Sequence, residues 1–403
     1  VPMINSGGEY DVLSAANEDH DSVVELVRGL VAIPSRGGID SYEPILAHVA
    51  GWLAGHGLAA ATVRDHAGAA LALACEVAGA RPGPRWVLDA CLDTAPFGDL
   101  DAWSHPPTSA HLADGWLWGR GSADSKAAVA IFCHIAARLA AARDRLAGRL
   151  VLLFDVDEHT GGFGGAKTYF AGADAPGDVA GVMIGYPGMD KLVVGGRGVH
   201  RAQLHVHGVA SHSGGSTATP SAIEKAAHLV RALSSAQLPA GDSPDFPLPG
   251  KLTVTAVHGG QGYSVTPDLC TVNVDIRITP KFDDAAATQL VQEVVAEVDQ
   301  AWPGTRPTDI QVDTRWPAYA LAEDSSMRAA LIDAAASLGI AVKARIAGPS
   351  NIGNYLAGLG IPATAGFGVT YIGLHGTDER IRIDSIPIVQ AVYHAAVSTL
   401  LQP

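Results

Sequence analysis

The hydrophobic period of this chain changes twice along its length, and that pattern restricts the fold more than any other feature. Before about residue 194, short apolar runs alternate with segments that repeat at helical spacing. The runs are Ala69–Val77, Arg85–Leu92 (RWVLDACL), Arg149–Val156 (RLVLLFDV) and Val179–Ile184 (VAGVMI). An apolar run without a polar alternate face marks a strand covered on both sides. Between and before them, Ser22–Ile33, Tyr42–His56 and Ser125–Ala142 carry helix-spaced apolar residues, the first stopping at Pro34 and the second at Gly57. Strands alternating with helices predict an α/β sheet with parallel pairs.

Past residue 194 the period becomes two. Gln203–Val209 (QLHVHGV) and Thr271–Ile278 (TVNVDIRI) alternate strictly, with a helix predicted over Ser221–Ser235 between them. Such alternation predicts an antiparallel sheet covered on one face only. The Pro-rich stretch Leu238–Pro249 reads as a surface loop. From about residue 306 the first texture returns, with a helix over Ser325–Leu338 and the apolar run Ile361–Phe367. The predicted fold class is therefore α/β: a catalytic α/β domain with a mixed central sheet, residues 1–193 and 306–403, interrupted by an inserted α+β domain at 194–305. A length of 403 residues suits two cores better than one.

Composition removes whole classes of function. With 48% hydrophobic and 17% charged residues the chain is too apolar for disorder. Its longest apolar stretch, Ala127–Ala142, is interrupted by His and Arg and is too short to span a bilayer. Twenty-seven Lys and Arg against 41 Asp and Glu leave a net charge of −14, which excludes nucleic acid and anionic membrane as general partners. Cys75, Cys91, Cys133 and Cys270 are too few and too dispersed for a disulfide framework. No basic segment followed by an apolar one opens the chain, so the expectation is a cytoplasmic protein, with Met3 after Val1-Pro2 as its native start.

The chemistry-bearing residues follow predicted strand ends, where loops of an α/β sheet converge on ligands. They lie in "CLDTAPFGDLDAWSHPP", "DGWLWGRGSADSKAA", "DVDEHTGGFGGA", "GYPG" and "GLHGTDERI". Together these segments hold Cys, Asp, Glu, His and Tyr, an inventory for a metal site.

Four blocks, "GRGSADSK", "ASHSGG", "VTPDLCTVNVDIR" and "HGTDERI", make the chain resemble the zinc-dependent family of aminoacylases, acetylornithine deacetylases, succinyl-diaminopimelate desuccinylases and glutamate carboxypeptidases. The resemblance covers nearly the whole chain in block order. It implies the split fold, with the inserted domain as lid and dimerisation domain of a homodimer. It also implies an amide-bond hydrolase acting on an N-acyl amino acid or dipeptide-like small molecule. Members of that family hold two zinc ions through a His, a bridging Asp, a Glu, a further acidic residue and a C-terminal His. Here the bridging residue is Asp124 and the last is His375, but Cys91, His159 and Tyr186 stand at the other three positions. Asp93, the residue that orients the first ligand, and Glu158, the general base, are retained.

These replacements predict a reduced site. A phenol with a pKa near ~10 is a poor zinc ligand, so the half formed by Cys91, Asp124 and Tyr186 is crippled. The half formed by Asp124, His159 and His375 keeps one carboxylate and two imidazoles, a catalytic zinc shell with an open position. The expectation is at most one zinc per chain. Cys91 reads equally as a small core residue, and His159 equally as a filler of the old cavity. Elsewhere the resemblance gives His212 the task of polarising the scissile carbonyl and Arg277 that of binding a substrate carboxylate. It places Ser350 and Asn351 near the substrate. His105, His111, His205 and His207 read as surface or sheet residues. The alternative is a metal-independent member of the scaffold: an acyl transferase, a cyclase or a ligand-binding protein.

Overall fold

The computed structural model describes residues 11–239, 243 and 245–402. The opening Val1-Pro2-Met3 and residues 240–242 and 244 of the Pro-rich stretch lie outside the described residues. The chain divides into two compact units.

The first unit runs to Val194, resumes over Leu321–Arg345, and takes the chain again from Leu359. Its main sheet has the strand order Ala60–Arg64, Ala70–Ala78, Ala147–Asp155, Arg81–Cys91, Val179–Ile184, Ala363–Gly366, Lys191–Gly196. Arg81–Cys91 is parallel to both of its neighbours, whereas Ala70–Ala78 is antiparallel to both of its own. The sheet is therefore mixed. Its central strands are apolar on both faces, with Val87, Leu88, Leu150, Leu152 and Phe154 all fully buried, because helices cover both sides. Val12–Ala32 begins with Asp11, whose carboxylate accepts the Leu13 amide at 3.0 Å, and ends ahead of Pro34. That helix starts ten residues before the periodic segment Ser22–Ile33, since the polar residues 17–22 interrupt the apolar stripe and the Asp11 cap sets the start.

A small sheet in the same unit has the order Tyr371–Ile372, Arg380–Arg382, Trp116–Trp118, His111–Ala113. It brings a loop from near the C-terminal end beside the turn that precedes the helix Ala127–Ala141.

The second unit comprises Gly195–Ala320 and Ile346–Gly358. Its sheet is antiparallel throughout, in the order Lys251–Gly259, Leu269–Ile278, Gly198–His207, Asp309–Trp316. The helices Ala222–Ser235 and Asp284–Ala301 cover one face. Leu204, Val206, Val272, Val274 and Ile276 meet Leu229, Leu233, Val291 and Val295 in one core. The strand Asp309–Trp316, which follows the expected return of the α/β texture at 306, pairs with Gly198–His207 inside this unit.

Candidate metal centre

Two parallel strands aim the centre. Arg81–Cys91 and Ala147–Asp155 run side by side, with Cys91 opposite Asp155, so the segments just past both ends emerge together. From the first come Cys91 and Asp93, and from the second Glu158 and His159. Asp93 is fully buried and accepts the backbone amides of Glu158 at 3.1 Å and of His159 at 2.9 Å. It also lies 3.4 Å from Nδ1 of His159. Asp93 thus positions His159, and no contact with Cys91 is needed for that work.

Asp124 sits in the tight turn before the helix Ala127–Ala141. Gly121 enters that turn at φ 80°, and a Cβ there would come within 2.4 Å of Thr94, so only glycine permits the approach. His375 lies in the loop between Tyr371–Ile372 and Arg380–Arg382. Its Nε2 is 2.9 Å from Asp124 Oδ2, and Nε2 of His159 is 3.7 Å from the same oxygen. The other carboxylate oxygen accepts the Ser125 hydroxyl at 2.7 Å and faces the Cys91 thiol at 3.7 Å.

Among the described residues, two groups bring ligand atoms within 4.8 Å of one another: Asp124, His159 and His375, and Cys91, Asp93 and His159. Tyr186 joins neither. It follows the strand Val179–Ile184, half-buried, against a small apolar cavity lined by Phe132, Phe367 and Tyr393. The first group suits a zinc-class ion by its chemistry, one carboxylate with two imidazoles. His159 is 9% exposed and its Nδ1 has no hydrogen-bond partner.

The electrostatics follow from the crowding of acids. Desolvation and then the Asp124 charge push Glu158 up to about 7. Desolvation also raises Tyr186 far above its ordinary range, so the phenol is neutral. Burial opposes the charge on Asp124, but His159 and His375 overcome it and hold the carboxyl below its usual range. For His159 burial again opposes the charge, and Asp124 with Asp93 lifts the ring to about 10. A strongly ionised carboxylate facing two imidazoles is an arrangement a metal ion completes.

One pair behind the site was not assigned from the sequence. Arg120 and Glu379 form a buried ion pair at 2.7 Å, exposed by 2% and 1%. Glu379 accepts the amides of Ala123 at 2.9 Å and Asp124 at 3.4 Å, and Arg120 donates to the His375 carbonyl at 3.2 Å. The pair therefore fixes two ligand-bearing loops at once. Both residues lie inside blocks that carry the family resemblance, "GRGSADSK" and "HGTDERI", which was the available signal.

The remaining assigned residues belong to the second unit. His212 is exposed on a two-stranded ribbon with Val265, and its Nδ1 accepts the Gly214 amide at 3.0 Å. That bond leaves the ring proton on Nε2. Arg277 donates to Asp275 at 2.7 Å and to the Ser350 hydroxyl at 3.1 Å. Asn351 turns back on its own backbone, accepting the Gly353 amide at 2.8 Å where the helix Ile352–Gly358 begins. Its side chain caps that turn.

The profile of Peptidase family M20/M25/M40 matches residues 87–399. The succinyl-diaminopimelate desuccinylase of Stenotrophomonas maltophilia is 28% identical over 331 residues, which is 79% of this chain and 84% of that protein. A tripeptidase of Staphylococcus aureus has the same fold, with a TM-score of 0.73 at 20% identity over 95% of this chain and 98% of its own. A dinuclear metal-binding peptidase of the M20 family from Bacillus subtilis gives 0.70 at 14% identity, covering 96% and 99%.

Proposed function

Because this chain belongs to peptidase family M20/M25/M40, we propose that it hydrolyses an amide bond in an N-acyl amino acid or dipeptide-like small molecule, with one zinc ion held by Asp124, His159 and His375. The observation that carries this reading is the convergence of those three donors within 4.8 Å, with Glu158 next in sequence to one of them. When bound, the ion supplies Lewis acidity to the substrate carbonyl and to water. The desuccinylase relative, named for removing a succinyl group from an amino acid, supports an acyl-amino-acid substrate.

Each residue then has a task set by its surroundings. Glu158, poised near neutrality, takes a proton from the attacking water and returns it to the leaving amine. Asp93 holds the segment that carries His159 by accepting the Glu158 and His159 amides. Nε2–H of His212 donates to the carbonyl oxygen as negative charge develops there. Arg277, set by Asp275 and Ser350, binds a substrate carboxylate. Asn351 supports this segment through its cap rather than by a free side chain. Cys91 and Tyr186 occupy the places of lost ligands, and the neutral phenol of Tyr186 supports a single-ion site.

The first unit is the catalytic domain in this reading, and the second is the lid and dimerisation domain of a homodimer. The cytoplasm is the compartment that four free, buried cysteines suit.

Metal analysis of the purified protein, combined with turnover of N-succinyl amino acids, N-acetyl amino acids and dipeptides, tests the proposal. The expected result is one zinc per chain, with turnover lost to a chelator and restored by zinc. Two fully occupied zinc ions, or turnover without any metal, would overturn it.

A further inference from the structure

The His159 ring presents its two nitrogens to different neighbours. Nε2 lies 3.7 Å from Asp124, whose carboxylate also meets His375. Nδ1 lies 3.4 Å from Asp93, is buried, and has no hydrogen-bond partner. Cys91, Asp93 and His159 form a group of their own, with one ligand atom from each within 4.8 Å of the other two. All three side chains are nine-tenths or more buried. The two groups share His159 and nothing else.

We propose that Cys91, Asp93 and His159 bind a thiophilic divalent ion, such as cadmium or excess zinc, in competition with the Asp124–His159–His375 set. The chemistry of the donors separates the two sets. A sulfur donor favours soft ions, while the carboxylate with two imidazoles takes zinc without that bias. A neutral imidazole has one nitrogen with a free lone pair and one that carries the proton. The ring therefore serves one set at a time. Binding at the sulfur set breaks the Cys91 S–H bond, forms a sulfur–metal bond, and releases the proton to solvent. Oδ1 of Asp124 lies 3.7 Å from the Cys91 sulfur, and Asp93 offers an oxygen within 4.8 Å of it. That field favours a cation at Cys91 and disfavours a bare thiolate nucleophile.

Cadmium titration of the metal-stripped full chain tests this, with the thiolate-to-cadmium charge-transfer absorption as readout. The wild type is expected to develop the band and saturate at one equivalent. Cys91→Ser is expected to lose it, and His375→Ala, which removes a donor of the other set, to retain it. An undiminished band in Cys91→Ser would assign it to another cysteine and overturn the proposal, as would loss of the band in His375→Ala. X-ray absorption at the cadmium edge on the wild type does not depend on any variant folding. One sulfur in the first shell is expected, and a shell of oxygen and nitrogen alone would overturn the proposal. Neither readout uses turnover, so its failure is distinct from failure of the hydrolase reading.

Discussion

His375 lies 2.9 Å from the Asp124 carboxylate and Glu158 is next in sequence to His159, yet the two have separable tasks in the proposed reaction. Glu158→Gln keeps the shape and removes the proton acceptor, so kcat is expected to fall about 10²–10⁴-fold with zinc content unchanged. His375→Ala removes a donor of the proposed zinc set, so zinc content and turnover are expected to fall together. Steady-state kinetics beside metal analysis checks both. At this scale much of the centre was legible: Asp124, His159 and His375 converge, with Asp93 and Cys91 beside them. The partner of Asp93 was not, because a strand end points its loop in space and the sequence carries only the order. Arg120 and Glu379 were illegible as a pair, being 259 residues apart and brought together where Arg380–Arg382 pairs with Trp116–Trp118. Glu379→Gln leaves Arg120 as a buried charge without its partner. A loss of roughly 3–5 kcal/mol is expected, read from the denaturant midpoint, together with weaker zinc binding as the Asp124 turn loosens.

The elements were readable where one period persisted. Val179–Ile184 falls where its apolar run stands, and Ala222–Ser235 lies within one residue of its predicted start because Ser221 caps it. Asp309–Trp316 was harder. Its alternate residues are exposed or half-buried, so no apolar run announces it, and only its register with Gly198–His207 assigns it to the second unit. The helix Ile386–Leu400 illustrates a different consequence of burial. His394 on that helix is 3% exposed, and burial first, then the neighbouring Arg138, hold its pKa down at about 4 from an ordinary 6.5. A histidine held below its unfolded value is neutral in the native state, and acid favours the unfolded chain that can take the proton. The associated stability is complete above pH 6.5 and is lost as pH falls toward 4. A shift of that size corresponds to about 3 kcal/mol. Denaturant midpoints measured across that window should fall for the wild type. His394→Gln, uncharged throughout, should flatten that part of the curve.

On the scale of the whole molecule, the second unit leaves two sheet edges, and their side chains differ. Asp309–Trp316 presents Asp309, Gln311, Asp313 and Arg315 outward, charges of the kind that discourage pairing. Lys251–Gly259 presents Lys251, Thr253, Thr255 and Val257, with Val257 half exposed. At its end, Ile223 packs against Gly259 and Leu269 precedes Cys270, the partner of Gly259, and both side chains are exposed. An edge with one charge along nine residues is a template for a second strand, and a two-fold axis lets the same edge on two copies satisfy each other. The proposed homodimer is therefore expected to form through Lys251–Gly259. Sedimentation at micromolar concentration is expected to give about twice the chain mass of 41.4 kDa. Val257→Asp places one carboxylate per copy on the shared edge and is expected to weaken association by at least tenfold, about 1.4 kcal/mol. A wild type that sediments as a monomer would remove the dimer altogether. A Val257→Asp dimer of unchanged affinity would keep the dimer and move it from this edge. The net charge of −14 doubles on association, so a dimer built on this low-charge edge should tighten as added salt screens the two copies from each other.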